Sequence, residues 1–184
     1  LLVAKTEKSF QFLKKAFQDR EVEKIYVALV SGHLNETEGK VSALLMRKPG
    51  ELKRRAIDPE HHRGSLPGNT RTALTEYRVI ARYEGYDLVM LMPKTGRTHQ
   101  IRAHMAFLGH PVVGDRLYAF KEAKRQEFPL VSRQLLHASQ IRFSLFGEKY
   151  HFRSPLPRDF QDLLASIDET KVSSYDDEAL KSLF

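Results

Sequence analysis

The chain has 184 residues, of which 41% are hydrophobic, and this is enough for one globular domain with a substantial core. It contains no cysteine, which excludes disulfides, thiolate metal sites and a thiol nucleophile and fits the reducing cytoplasm. No apolar run is long enough to cross a bilayer, and no signal-peptide pattern is present, so no membrane partner is expected. The net charge of +7 is unevenly placed, because residues 168–184 hold five acids against two lysines. The basic remainder favours a polyanionic partner, most simply nucleic acid.

The first part of the chain predicts a strand, a helix and a second strand. Residues 1–5 are typical of a strand already under way, so the chain is expected to begin inside a fold. Thr6 can cap a helix whose apolar stripe includes Phe10 and Phe17, and this stripe predicts a helix packed on the core. Residues 23–32 are apolar on both alternating faces, which is typical of an interior strand.

Between residues 47 and 71 the hydrophobic periodicity stops. The segment has seven Lys or Arg against three acids, and it predicts a long basic loop with little structure of its own. His61 and His62 suggest a metal ligand pair, but no further ligand stands at suitable spacing, so we expect no metal. Contact with phosphates is the favoured role, and the candidate residues are Arg47, Lys53, Arg54, Arg55 and Arg63.

The later segments predict strands joined by short turns. Glu84-Gly85 has the chemistry of a hairpin turn, and Phe146-Gly147-Glu148 joins a second pair of strands. The predicted class is therefore α+β, with a largely antiparallel mixed β-sheet and a few flanking helices. Residues 1–168 are expected to form one domain, and residues 169–184 an acidic, flexible tail. The predicted elements are strands over 72–83, 86–92, 134–143 and 149–152 and a helix over 157–167.

The stretch from Lys94 to Tyr118 predicts a short helix with unusual chemistry at its start. Thr98 can cap this helix, and Gly109 is well placed to end it. Pro111 cannot continue a helix, so the element is bounded at both ends.

Three cationic or titratable side chains crowd the first turn and a half of this helix, namely Arg97, His99 and Arg102. Backbone N–H groups and the positive end of the helix dipole already favour an anion there. The pattern fits either an exposed basic helix start or, as we favour, a site for a phosphate or a carboxylate.

Familiar catalytic motifs are absent from the sequence, including the P-loop, GxGxxG, GxSxG and HExxH. His99 and His104 are five positions apart and would lie on different sides of a helix, which argues against a shared metal. Asp115 follows Gly114 in a turn, where an aspartate usually accepts hydrogen bonds from nearby backbone N–H groups. Pattern alone therefore supports a basic α+β domain that binds nucleic acid.

Four stretches of the sequence resemble one known family. GRTHQIRAHMAFLGHPVVGDRLY is similar to the third motif of the ribosomal large-subunit (Rlu-like) type of RNA pseudouridine synthases, GRxHQ(I/L)RxHxxxxGHPxxGDxxY. EKIYVALVSG resembles the second motif of that family, KxYxAxVxG, while TALTEYRVI and LLHASQIRF resemble further strands in the expected order. The resemblance covers about residues 1–165 and implies the catalytic fold of these synthases.

The resemblance implies an isomerase that cleaves the bond between uracil and ribose in RNA, rotates the base and rejoins it through carbon, without cofactor or metal. Ribosomal RNA is the expected substrate, with transfer RNA as a further possibility, and the enzyme is expected to be a monomer. Tyr26 matches the tyrosine that contacts the target base, and Arg102 matches the arginine that pairs with the catalytic aspartate. Lys94, Arg97 and His99 are expected at the mouth of the pocket, against phosphates or the flipped nucleotide.

The first motif of the family, HRLDxxTSG, is not found in this sequence. The resemblance therefore implies that the catalytic aspartate lies upstream of residue 1, that these 184 residues alone are inactive, and that Arg102 lacks its partner. The alternative is a non-catalytic RNA-binding module of the same fold. The sequence encoded before Leu1 distinguishes the two, because an HRLD motif there selects the enzyme.

Overall fold

A computed structural model describes residues 2–47, 50, 53–58, 68, 70–119, 131–167, 171–174, 176–181 and 183. In this part of the chain no helix is long and apolar enough to cross a membrane. The helices are α1 (Glu7–Gln18), α2 (Gln100–Phe107), α3 (Arg158–Ser166) and α4 (Asp177–Lys181). The strands are β1 (Glu23–Ser31), β2 (Glu38–Arg47), β3 (Arg54–Ile57), β4 (Arg71–Tyr83), β5 (Tyr86–Pro93), β6 (Leu136–Leu145), β7 (Glu148–Arg153) and β8 (Lys171–Ser174).

One sheet contains these eight strands, in the order β3-β2-β4-β5-β1-β6-β7, with β8 paired to the second half of β4. The pairings along this order are antiparallel, so the predicted α+β class with a largely antiparallel sheet is confirmed. β1 lies between β5 and β6, as its two apolar faces predicted. The turn at Glu84-Gly85 joins β4 to β5, and Phe146-Gly147 joins β6 to β7.

The core lies on both faces of this sheet, because alternate side chains of β1 point in opposite directions. Val27 and Leu29 pack with Phe160 of α3 on one face. Ala28 and Val30 pack with Met105 of α2 on the other, and this second face also carries the candidate site.

α1 begins where the sequence predicted, with the Thr6 hydroxyl accepting a hydrogen bond from the backbone N–H of Ser9 at 3.2 Å. Its predicted packing is partly wrong. Leu13 is buried, but Phe10 and Phe17 are 50% and 45% exposed. The helix docks through a stripe narrower than the sequence suggested, so aromatic rings on the edges of that stripe stay in contact with solvent.

The beginning of the chain differs from its prediction. Residues 2–5 form no strand, and Leu1 lies outside the described residues. Leu2 and Ala4 instead pack beside α1 in a small cluster that includes Phe143 of β6. Apolar character here reflects burial against a neighbour and not strand pairing.

The predicted basic loop over residues 47–71 is partly a strand. β3 pairs with the end of β2, with Leu44 opposite Ile57 and Met46 opposite Arg55, so the loop prediction is wrong over Arg54–Ile57. A strand of four residues is too short to show a hydrophobic periodicity in the sequence. It forms because its backbone pairs with β2. Residues 59–67, including Arg63 and the two histidines, lie outside the described residues.

The stretch predicted as a flexible tail packs on the domain where the structure describes it. β8 pairs with β4 from Ala81 to Tyr83, and α4 follows it. Leu183 is 2% exposed and belongs to the same core cluster as Phe160 and Leu163. The composition of the stretch is acidic, but Ala179, Leu180 and Leu183 pack in this core cluster of the domain.

Gly114 offers a test of how tightly the segment after α2 is packed. Its φ is +74°, and a Cβ at this position would lie 2.2 Å from the carbonyl oxygen of Arg133. Gly109, which ends α2 in the same left-handed region with φ +89°, has nothing within 4 Å of its Cβ position. Replacing each glycine by alanine therefore distinguishes the two effects, because both changes strain the backbone and only the one at Gly114 also overpacks.

We therefore expect Gly114→Ala to lower the free energy of unfolding by about 1–3 kcal/mol more than Gly109→Ala, because only the first adds a steric overlap with backbone. Urea unfolding of both variants followed by circular dichroism measures the difference. Equal losses of unfolding free energy in the two variants would show that the segment near Arg133 moves away without destabilising the fold.

Candidate active site

A cleft of about 360 Å³ opens on the α2 face of the sheet. Its walls come from β1, the end of β5, the segment that leads into α2, α2 itself and the start of β6. Four of the residues selected from the sequence line it together: Tyr26, Arg97, His99 and Arg102. Lys94 lines a neighbouring cleft of about 430 Å³ that shares Lys24 and Arg97 with the first.

Tyr26 reaches the cleft from the central strand β1. It pairs with Leu91 on β5, and the register with β6 shifts between Ile25 and Tyr26. Such a bulge changes the direction of a side chain relative to the regular strand. The ring is partly buried against the core and also lines the cleft. Burial raises the pKa of the Tyr26 phenol above its ordinary value, so the hydroxyl keeps its proton at neutral pH.

Arg102 forms a buried bidentate ion pair with Asp115. Its Nε donates to Oδ2 at 2.5 Å and its Nη2 donates to Oδ1 at 2.7 Å, with side-chain exposures of 14% for the arginine and 0% for the aspartate. The expectation that Arg102 lacks a partner in this chain is therefore wrong. Hydrogen bonding to Asp115 raises the pKa of the guanidinium, so its charge is fixed.

Asp115 also fulfils the role that its turn position predicted. Its Oδ1 accepts hydrogen bonds from the backbone N–H groups of Leu117 and Tyr118, at 3.0 and 3.1 Å. The side chain is fully buried and both carboxylate oxygens accept hydrogen bonds, so Asp115 orients Arg102 and the turn and is not available to attack a substrate.

Tyr118 connects the start of β3 to this ion pair, a role that the sequence did not reveal. The guanidinium of Arg102 lies 5.1 Å from the centroid of the Tyr118 ring, and the ammonium of Lys53 lies 5.2 Å from it. The hydroxyl of Tyr118 accepts a hydrogen bond from the backbone N–H of Arg54 at 2.7 Å. Tyr118 is the last residue of the third motif. Its fixed spacing from Arg102 within that motif was the sequence signal that could have predicted their contact.

The basic residues chosen from the 47–71 segment have different outcomes. Lys53 and Arg54 are held beside the cleft through Tyr118. Arg55 is exposed on β3. The side chain of Arg47 and the whole of Arg63 lie outside the described part of the structure.

The segment that enters α2 is fixed by the amide of Gln100. Its Oε1 accepts from the Thr95 hydroxyl at 2.7 Å and from the backbone N–H of Arg97 at 3.0 Å. Its Nε2 donates to the hydroxyl of Thr75 on β4 at 3.0 Å. Thr98 is not the N-cap, contrary to the prediction, because the helix begins at Gln100 and the N-cap position belongs to His99.

His99 occupies the N-cap position with a left-handed backbone, φ 57°, and makes no side-chain cap. Its ring meets the edge of Tyr118 at a centroid distance of 5.8 Å. Burial first, and then the charges of Arg102 and Arg54 against an opposing effect of Asp115, lower the pKa of His99 below its ordinary value. A neutral imidazole therefore stands at the edge of the cleft at neutral pH.

The charge of the cleft is one-sided. Among the described residues that line it, the charged ones are Lys24, Arg97 and Arg102, and none carries a carboxylate. Lys94 stands slightly apart and pairs with Glu76 at 2.9 Å. No group of three potential metal ligands occurs within the described ranges. This arrangement suits a polyanion with an uncharged ring system, and it holds no nucleophilic acid of its own.

The fold agrees with the comparisons to known proteins. A family model described as RNA pseudouridylate synthase matches residues 1–107. Because the match extends over more than half of the sequence, the chain belongs to the RNA pseudouridylate synthase family, and the resemblance read from the motifs is confirmed.

Two curated proteins show how similar the chain is to individual members of the family. The chain is 39% identical over 157 residues to the dual-specificity RNA pseudouridine synthase RluA of Yersinia pestis, covering 83% of this chain and 70% of that protein. It is 30% identical over 168 residues to the ribosomal large subunit pseudouridine synthase D of Borreliella burgdorferi, covering 91% of this chain and 48% of that one. The chain thus spans about half the length of several curated relatives that it matches.

Two solved human structures share the fold. Human RNA pseudouridylate synthase domain containing 1 superposes with a TM-score of 0.74 at 30% identity, covering 98% of this chain and 73% of the other. Human RNA pseudouridylate synthase domain containing 4 gives 0.70 at 22% identity, with coverage of 89% and 69%, and at this identity it supports the fold alone.

Proposed function

We propose that this chain provides most of the catalytic domain of an enzyme that isomerises uridine to pseudouridine in RNA. The observation that carries the proposal is the meeting of Tyr26 and Arg102 in one basic cleft. These two residues lie 76 positions apart in the sequence, and each matches a different motif of the family.

In this proposal the target uridine leaves its stack and enters the cleft, at a cost of roughly a few kcal/mol. The ring of Tyr26 lies against the uracil, while Arg97 and His99 meet the backbone or the sugar at the mouth. The reaction breaks the N1–C1′ bond, rotates the base and forms a C5–C1′ bond. The C5 proton is lost and N1 gains one, so the product is an isomer of the substrate.

The nucleophilic carboxylate comes from the HRLD motif that the resemblance places before residue 1. Two observations support this assignment. The described lining of the cleft holds no carboxylate, and Asp115 is committed to Arg102 and to backbone donors. Nη1 of Arg102 makes no hydrogen bond to any residue that the structure describes, so it can donate to a second carboxylate while Asp115 keeps the guanidinium in place.

Ribosomal RNA is the proposed substrate, because one relative is named a ribosomal large subunit pseudouridine synthase. Transfer RNA is the second candidate. Lys53 and Arg54, which contact Tyr118, and Arg55, which is exposed on β3, are the proposed contacts for phosphates outside the flipped nucleotide. A monomer acting in the cytoplasm completes the proposal.

Release of tritium from RNA labelled at C5 of uridine tests the function, because C5 loses its hydrogen only when the C–C bond forms. The complete product of the gene should release tritium, whereas the 184-residue chain alone should bind the RNA without releasing it. Turnover by the isolated chain would refute an upstream nucleophile. No turnover by the complete protein on any cellular RNA fraction would select the non-catalytic binding module.

Tyr26→Leu is expected to weaken the binding of a uridine-containing RNA by roughly 5- to 150-fold, because base stacking on an aromatic ring contributes about 1–3 kcal/mol. Tyr26→Phe keeps the ring and should bind like the parent chain. Fluorescence anisotropy with a labelled oligonucleotide measures both. Equal weakening in the two variants would mean that the hydroxyl, and not the ring, holds the base.

A further inference from the structure

We propose that the cleft beside the α1–β1 turn is a second nucleotide subsite, in which the base adjacent to the flipped uridine stacks on Phe17 and its phosphate is held by Arg20. This inference rests on the proposed function, since it concerns the RNA strand that leaves the uridine cleft. It adds a base-binding position on α1, an element to which neither the motifs nor the resemblance gave a role.

The two clefts are neighbours that share part of their lining. The second has a volume of about 430 Å³ and shares Lys24, Thr95, Gly96 and Arg97 with the uridine cleft. Phe17 and Arg20 line only the second. A strand whose one nucleotide occupies the first cleft can therefore pass its neighbour into the second without crossing the body of the protein.

Phe17 has the position and exposure of a stacking platform. The sequence predicted this ring in the core, yet 45% of the residue is exposed where α1 ends. The ammonium of Lys24 lies over the ring, 5.6 Å from its centroid, so a positive charge faces the aromatic surface. An exposed ring flanked by a cation is the combination that binds successive bases of single-stranded RNA without requiring a sequence.

Arg20 stands in an unusual backbone conformation at this cleft. The backbone N–H of Glu21 donates to the carbonyl of Ala16 at 2.9 Å and that of Arg20 donates to Phe17, so Arg20 is the left-handed residue after the end of α1, with φ 63°. Glycine is the usual residue in this position, since a side chain is strained there. Strained residues of this kind cluster at functional sites.

The positive charge of Arg20 also has no acidic partner among the described residues. In the part of the chain that the structure describes, its side chain makes no ion pair, whereas Lys94 in the same cleft pairs with Glu76. No acidic residue lines this cleft within the described ranges. An acidic peptide could use the cations, but it would leave the ring of Phe17 unused, so the arrangement favours a nucleotide with both a base and a phosphate.

Binding of fluorescein-labelled pentauridylate and of uridine monophosphate to the 184-residue chain tests the subsite. Phe17→Ala should weaken the binding of pentauridylate roughly 5- to 150-fold, as loss of one stacked base does, and should leave the binding of the monophosphate unchanged. Arg20→Gln should reduce the slope of log affinity against log salt by about 0.7, the loss of one phosphate contact to a single strand.

Matched controls come from the same chain. Phe10→Ala removes a ring of similar exposure, 50%, from the same helix but outside both clefts. Arg158→Gln removes a charge on α3 whose side chain is 93% exposed. Both should bind pentauridylate like the parent, and all four variants should unfold at similar urea concentrations, because each change lies at an exposed position.

Tyr26→Leu separates this inference from the function on which it rests. If Tyr26→Leu weakens pentauridylate and Phe17→Ala does not, the subsite is refuted while the uridine cleft stands. If neither matters, the proposed function fails and the subsite fails with it. An effect of Arg20→Gln without one of Phe17→Ala would indicate a surface for anions in general, such as an acidic peptide, and would also overturn the stacking subsite.

Discussion

Replacing Arg102 by glutamine is expected to lower the free energy of unfolding by about 3–5 kcal/mol, because it leaves the carboxylate of Asp115 buried without its counter-charge. Asp115 has a fully buried side chain, and only 14% of the arginine side chain is exposed. Removing one member of such a pair forces the other to remain unpaired in a medium that solvates it poorly. Urea unfolding at neutral pH measures the loss.

The chain contains a geometrically similar pair at the surface, which serves as a control. Nε and Nη2 of Arg133 donate to the two carboxylate oxygens of Asp159 at 2.7 and 2.8 Å, and the side chains are 37% and 46% exposed. Water can replace either partner there, so Arg133→Gln should change stability by no more than about 1 kcal/mol. Similar losses in the two variants would show that burial adds little to the Arg102–Asp115 pair.

The second large effect expected is a loss of stability in mild acid caused by His104. This residue is fully buried in α2, and its Nδ1 lies 2.9 Å from the hydroxyl of Thr75. Its Nε2 is buried with no partner among the described residues. Burial lowers the pKa of His104 to about 4, because a charged ring would lose its hydration without gaining an acceptor at Nε2.

The sign of the effect follows from the lowered pKa. Between pH 6.5 and about 4 the unfolded chain takes up a proton at His104 while the folded protein does not, so acid favours unfolding. The contribution is complete above pH 6.5 and is lost as the pH falls to about 4, by up to about 3 kcal/mol at 1.36 kcal/mol per pH unit.

Urea unfolding between pH 7 and 4 should therefore show a steeper fall for the parent chain than for His104→Gln, which cannot take up the proton but can still bond Thr75. His99, whose pKa is also lowered, contributes in the same direction in both proteins, so the comparison isolates His104. Parallel curves for the two proteins would show that His104 is protonated in the fold without penalty.

These two predictions concern the same short helix, which connects the stability of the domain to its candidate chemistry. Arg102 projects from one side of α2 to Asp115 and the cleft, while His104 lies against β4. Gln100, at the helix start, shares the hydroxyl of Thr75 with His104. The groups that position the mouth of the cleft are thus held by the core, so a substrate meets donors that are already in place.

Local patterns in the sequence were sufficient for the elements that depend on their own residues. The Thr6 cap, the alternation of β1 and the turn at Gly85 each follow from chemistry within a few positions, and the structure contains them. Tyr26 and Arg102 were identified through motifs, and the tertiary structure brings both to one cleft.

What the sequence by itself determined is the class of the fold, its family and the residues around which a site would form, because periodicity, turn chemistry and motif spacing are local properties of the chain. The tertiary structure alone decided that Asp115 pairs with Arg102 and that Tyr118 bonds Arg54. It also decided that the ring of Phe17 is exposed. Those outcomes depend on how the turn after α2, the short strand β3 and the narrow contact of α1 come together. Contacts between segments far apart in the chain leave no periodic trace in either segment, so only the packed molecule reveals them.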